Sequence, residues 1–179
     1  MILHLPDILK TRLIQYAKNK PYAHIGDYME RYWIVPYADP QAGDGCGLVS
    51  KWRRPFARTL QEIAIAIRVH CIKRSDSDRA VHDHPWWFLT IILFGRYIEV
   101  RPMYDRSGMY LGMQHTEYGP GSVLFRRAGD LHRLVLPNNG GHVWTLFITG
   151  PKQQRWGFVK NEKLDRKTYY RAYFKEQGL

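Results

Sequence analysis

The sequence predicts an all-β domain, a sandwich or small barrel spanning about residues 60–150. Three observations carry that expectation. One stretch alternates apolar and polar residues with period two, several short apolar runs follow it, and clusters of Gly, Pro, Asn and Asp separate those runs.

A helix is expected first. Asp7 stands where an N-cap belongs, and Ile8, Leu9, Leu13, Ile14 and Tyr16 recur at helical spacing before Lys20-Pro21 ends the pattern. Residues 25–37 are rich in apolar and aromatic side chains without a clean period. Residues 38–47, ADPQAGDGCG, read as a loop that serves as a lid or as a plain surface connection. In EIAIAIRVHCIKR, Ile63, Ile65, Ile67, Val69 and Cys71 then share one side, and Glu62, Arg68 and His70 share the other. That second side reads as partly solvated. RSDSDR turns the chain and AVHDH opens the next strand. Pro85, with no N–H to give a ladder, marks a break. Residues 86–94 form a buried strand, Gly95 a turn, and residues 96–101 another strand. YLGMQHTEY, SVLFRR, LHRLVL and HVWTLFI read as further strands between turns. In the tail, NEKLDRKTYYRAYFKEQ reads as a helix that packs Leu164, Tyr169, Tyr170 and Tyr173 back onto the rest. The expected organisation is one structural domain in three parts. Residues 1–58 form a helical and irregular segment packed on the barrel, 59–150 the barrel, and 151–179 a basic C-terminal tail.

Composition narrows the function classes. A chain of 179 residues with 45% hydrophobic content can bury a real core, which excludes general disorder. Cys46 and Cys71 are too few for a disulfide framework and fit a reducing compartment. The N-terminus lacks the pattern of a secretory leader, and no apolar run approaches the ~20 residues of a membrane helix. A soluble, cytoplasmic protein is expected. Net charge is +11, from 27 Lys and Arg against 16 Asp and Glu, and is densest in 151–179. Such an excess suits a solvated basic face or an anionic partner, nucleic acid among them.

His82 and His84 carry the chemistry. In a strand, residues two apart project from the same face, so both imidazoles can point into a barrel and converge on an ion, with Asp83 facing away. GSVLFRRAGDLHRLVL supplies a third candidate, His132.

These two segments resemble the paired motifs of the cupin superfamily, a jelly-roll barrel. The first motif is Gly, five residues, His-x-His, three or four residues, Glu, six residues, Gly; the second is Gly, five residues, Pro-x-Gly, two residues, His, three residues, Asn. His82, His84 and Gly95 match the first, and Gly121, Gly129 and His132 the second. RSDSDRAVHDHPWW and WTLFITGPKQQRWGF are also similar to small cupin-like proteins of phage and prophage genomes. The chain departs from the motifs at Asp76, Arg127 and Leu136, which replace Gly, Pro and Asn. Phe88 stands where the metal-binding Glu belongs. A phenyl ring cannot ligate, so the resemblance implies a site of three histidines, similar to the three-His iron site of the thiol dioxygenases.

Three neutral ligands would leave an ion its full charge and open positions for an anionic substrate and dioxygen. Iron is the expected metal, and zinc, nickel, manganese and copper accept the same ligands. Neither Asp130, on a turn, nor Glu99, paired with an Arg, is expected to ligate. If Phe88 takes the inward position, alternation turns Trp86, Thr90 and Ile92 inward as well, with Ile92 in the core. His70 on the neighbouring strand is a further pocket candidate. Arg126, Arg127 and Arg133 flank the second motif and are candidates to meet an anionic substrate.

The leading expectation is a metal-dependent, dioxygenase-like cupin acting on a small molecule, with no general base assignable; a homodimer is compatible with it. Two alternatives stay open. One is a non-catalytic cupin that binds nucleic acid or a protein through its basic surface, and the other a metal-free sugar isomerase or epimerase.

Overall fold

The computed structural model describes residues 2–35, 65–76, 80–137, 141–159 and 167–169. The loop 38–47, Cys46 and most of the expected tail helix lie outside the described residues. Within them the chain is mostly β, with one helix.

Helix α1 runs Asp7–Lys18. Pro6, not Asp7, is the N-cap. Its carbonyl accepts from Leu9 and Lys10, while Asp7 lies in the first turn and pairs with Lys10 at 2.6 Å. The helix buries Ile14 and Ala17 against Tyr32, Val69 and Leu93; Ile8 and Leu9 are exposed.

Strand β2 (Met29–Val35) arises where the sequence shows no clean period, and β1 (Pro21–Ile25) lies just before it. They continue through β3 (Ala66–Ile72), β10 (Val143–Thr149), β5 (Phe88–Phe94) and β8 (Val123–Arg126) as one antiparallel six-stranded sheet in the order β1-β2-β3-β10-β5-β8. A second sheet joins β7 (Tyr110–Tyr118), β6 (Tyr97–Tyr104) and β9 (Arg133–Val135) in that order. A third joins β12 (Lys167–Tyr169), β11 (Gly157–Val159) and β4 (Val81–His82). The described part of the expected tail helix, 167–169, is therefore strand.

Among the described residues the three sheets match a jelly roll but do not close into a barrel. Strands β4 and β9 are short, with two residues and three. Tyr28, Ile72, Ile92, Tyr97, Leu124, Leu134, Leu136 and Val143 form an apolar core between the six-stranded sheet and β6–β9. Leu136, where the cupin motif has Asn, serves this core.

Gly95 joins β5 to β6 with φ +78°, and a Cβ there would lie 2.6 Å from the His142 carbonyl oxygen. Gly95→Ala is expected to cost about 1–3 kcal/mol, through both the left-handed backbone and the clash. A urea midpoint unchanged from the parent would show that the β5–β6 turn and the 141–142 segment relax freely.

Candidate metal centre

Backbone pairing brings the three histidines together. His82 and His132 face each other across an antiparallel bridge, with His82 N–H donating to the His132 carbonyl at 2.8 Å and His132 N–H to that of His82 at 2.9 Å. Strand β4 ends at His82, so His84 is not placed by strand alternation. Its N–H donates to the Ala128 carbonyl at 3.0 Å, and Asp83 is clamped on the other side. The Asp83 carboxylate accepts from Gly157 N–H and from the Gln154 amide, both at 2.9 Å. Gln154 also donates to the carbonyls of His84 and Ala128. The segment after residue 150 thus fixes the His-Asp-His turn from outside.

One nitrogen from each of His82, His84 and His132 lies within 4.8 Å of the others. Nε2 of His84 and Nε2 of His132 are 2.9 Å apart. Ligands at about 2.1 Å around one tetrahedral ion are about 3.4 Å apart, so a small opening of the cluster fits a divalent metal. Glu99 is not part of the cluster but stands directly behind it. Its Oε1 is 2.9 Å from His132 Nδ1, and its other oxygen pairs with Arg126. An ionised carboxylate only accepts, so His132 Nδ1 donates to it, which leaves His132 Nε2 as the acceptor for His84. A metal would replace that shared hydrogen. Asp76, in place of the motif's first glycine, is fully buried; it accepts from Leu134 N–H at 3.0 Å and lies 4.0 Å from His82 Nδ1. Carboxylates behind ligating imidazoles fix ring orientation and raise basicity.

Electrostatics favours a neutral His84. Burial, then repulsion from His132, His82, His70 and Arg68, holds His84 well below the usual imidazole range. Burial raises the Glu99 carboxyl, but hydrogen bonds from His132 and Arg126 outweigh it and bring the value down to about 2.

The cluster opens on a cavity of about 120 Å³ walled by all three sheets. Trp86, Phe88, Thr90 and His70 line it; Ile92 is in the apolar core. Phe88 meets His84 edge-on at 4.5 Å and packs on Phe147 at 5.0 Å. Trp156, which the sequence did not single out, stacks on His84 at 6.2 Å.

The arginines require correction. Arg126 is held by Glu99, Arg127 is exposed on a turn where its N–H donates to Asp130, and neither they nor Arg133 line the cavity. Arg31 and Arg68 do. The side of β3 expected to be partly solvated is buried, with Arg68 6% and His70 7% exposed, because it faces the cavity, where Trp33 and Trp86 cover Arg68 and Phe147 stacks on His70. Alternation had already placed Arg68 and His70 on one face; what it lacked was the direction of that face.

No family model matches the chain, and no curated protein matches it. Among solved structures it is similar to the vicilin of Solanum melongena, with a TM-score of 0.51 and 12% identity over 81% of this chain and 34% of that one. It is also similar to the vicilin of hazelnut, Corylus avellana, with a TM-score of 0.50 and 12% identity over 73% of this chain and 30% of that one. The chain thus spans about a third of the length of these vicilins. What this likeness establishes is the fold, a jelly roll of cupin type.

Proposed function

We propose that the protein is a metal-dependent enzyme of oxygenase type, acting on a small molecule in the cavity beside His82, His84 and His132. The observation that carries this reading is the convergence of three imidazoles, one backed by Glu99, at the wall of an aromatic cavity. The three histidines would hold a divalent ion, with iron the working choice. When bound, such an ion supplies positive charge, open coordination positions and, for iron, redox chemistry.

The chain's own residues do the rest. Glu99 keeps His132 turned with Nε2 toward the cluster, and the Asp83 clamp holds the backbone between His82 and His84. Phe88, Phe147 and Trp156 keep water from the open side and leave substrate an apolar surface. Because Phe88 gives no ligand, the reacting group of the substrate is free to complete the set.

Elemental analysis of freshly purified, untagged protein tests the reading. About one divalent ion per chain is expected in the parent, and under a tenth of that in His132→Ala and in the His82→Ala/His84→Ala double variant, each still folded. Full occupancy in either would remove the three-His centre. Zinc or nickel, even after reconstitution with ferrous iron, would remove the oxygenase part and leave the centre.

A further inference from the structure

A second group of polar atoms lines the cavity and takes no part in the histidine cluster. His70 Nε2 and Trp86 Nε1 are buried atoms with no hydrogen-bond partner. Both residues line the cavity, as does the buried side chain of Arg68. The Arg68 guanidinium lies 5.2 Å from the centre of the Trp86 ring and 4.5 Å from that of Trp33, so aromatic faces hold it in place. His70 stacks on Phe147 at 4.7 Å, and Phe147 lies against Phe88, which meets His84. Phe147, which also lies 6.1 Å from His84, therefore stands between this group and the histidines.

The chemistry of the group is one-sided. An indole N–H and a guanidinium can only donate, and a neutral imidazole with hydrogen on Nε2 donates from that atom. Burial, with repulsion from Arg68 and Arg31, keeps His70 well below the ordinary imidazole range, so the fixed positive charge here belongs to arginine. Asp76 is the only carboxylate on the cavity wall among the described residues, and it is engaged by Leu134 N–H at the histidine end. His70 Nε2 and Trp86 Nε1 are buried without partners, which is costly for polar atoms, and an acceptor-only anion beside the Arg68 charge is their complement.

We propose that His70, Trp86 and Arg68 form a carboxylate-binding subsite, and that the substrate is a small carboxylic acid whose carboxylate docks there, with its apolar part crossing Phe147 and Phe88 to present the reacting group to the three-His centre. The subsite stands on its own observations; the reacting role of the far end rests on the metal reading above. It places the anion contact across Phe147 from the histidines and not on Arg126, Arg127 or Arg133.

Calorimetric titration of metal-free protein with acetate, propionate and benzoate, and with acetamide, propionamide and benzamide as uncharged controls, tests the subsite. At least one acid is expected to bind, and to bind more tightly than its amide. His70→Phe keeps the stacked ring but loses the donor. It should weaken that acid by about tenfold to a hundredfold, the size of a hydrogen bond to a charged group. His70→Gln, which keeps a donor, should restore most of the affinity, and His132→Ala should leave it nearly unchanged. Trp86→Phe removes only the indole N–H of a half-buried side chain, and it carries the test should His70→Phe fail to fold. Equal binding of acid and amide, or affinity unaltered in both His70→Phe and Trp86→Phe, would overturn the subsite. Affinity lost in His132→Ala and kept in His70→Phe would overturn it too, by moving the anion to the histidines. The two readings fail separately. Unit metal loading with no acid bound removes the subsite alone, while acid binding of the expected pattern in a chain that never retains metal removes the metal centre alone.

Discussion

Glu99→Gln is expected to lower stability by about 3–5 kcal/mol at pH 7, the range for removing one partner of a buried ion pair. Glu99 is 2% exposed and Arg126 12%, so the arginine would be left with its charge desolvated and unmatched. The pH dependence gives a second estimate. The Glu99 carboxyl is brought from an ordinary 4.5 to about 2 in the folded chain. A depressed carboxyl contributes stability that is fully present above its unfolded value and is lost as pH falls through the folded one. At about 1.4 kcal/mol per unit, that shift corresponds to about 3 kcal/mol, lost between pH 4.5 and 2. The gap between parent and variant in urea denaturation should therefore narrow across that window. A gap that stays constant with pH would show that Glu99 is not held ionised by Arg126 and His132. The same variant should bind metal about ten- to a hundredfold more weakly, since the partner behind a ligating histidine commonly contributes that much.

That glutamate marks where sequence reading stops. His82, His84 and His132 were legible because a His-x-His turn and a histidine beside a glycine turn are local patterns, and local spacing survives into structure. Glu99 was legible only as the partner of an arginine. Its reach to His132 depends on the pairing of β6 with β9, which sets Glu99 opposite Leu134, and no local pattern encodes that register. Asp76 was visible as a departure from a motif, not as the buried neighbour of His82. Trp156 enters the site through the pairing of β11 with β4, which spans only two residue pairs, too few to leave a period. Strands β1 and β2 escaped for a related reason: β2 is half-buried on both sides and never alternates cleanly. The charge of +11 was easy to read but does not say which cations act together. Nothing in the described residues or the likenesses supports a nucleic-acid partner, and two of the arginines line the cavity instead. Among the described residues no helix is long and apolar enough to cross a membrane.

Restoring the carboxylate that the cupin motif would place at residue 88 tests the orientation of the centre. Phe88 is 3% exposed, and its ring lies 4.5 Å from that of His84 and 5.5 Å from that of His132. In metal-free protein Phe88→Glu is expected to cost about 3–5 kcal/mol or more, from lost ring packing and a carboxylate left in an aromatic wall. Metal should reverse much of that loss. A fourth, charged ligand tightens binding, and an ion at a hundred times its Kd adds about 2.7 kcal/mol of stability. At one fixed metal concentration, therefore, the melting temperature of Phe88→Glu should rise more than that of the parent. If the parent gains as much or more, the open face of the three histidines is not turned toward residue 88, and the substrate cannot approach the ion along the phenyl wall. If the variant gains more, the ion, the missing ligand position and the cavity lie on one line, and the phenylalanine is what keeps that position vacant for substrate.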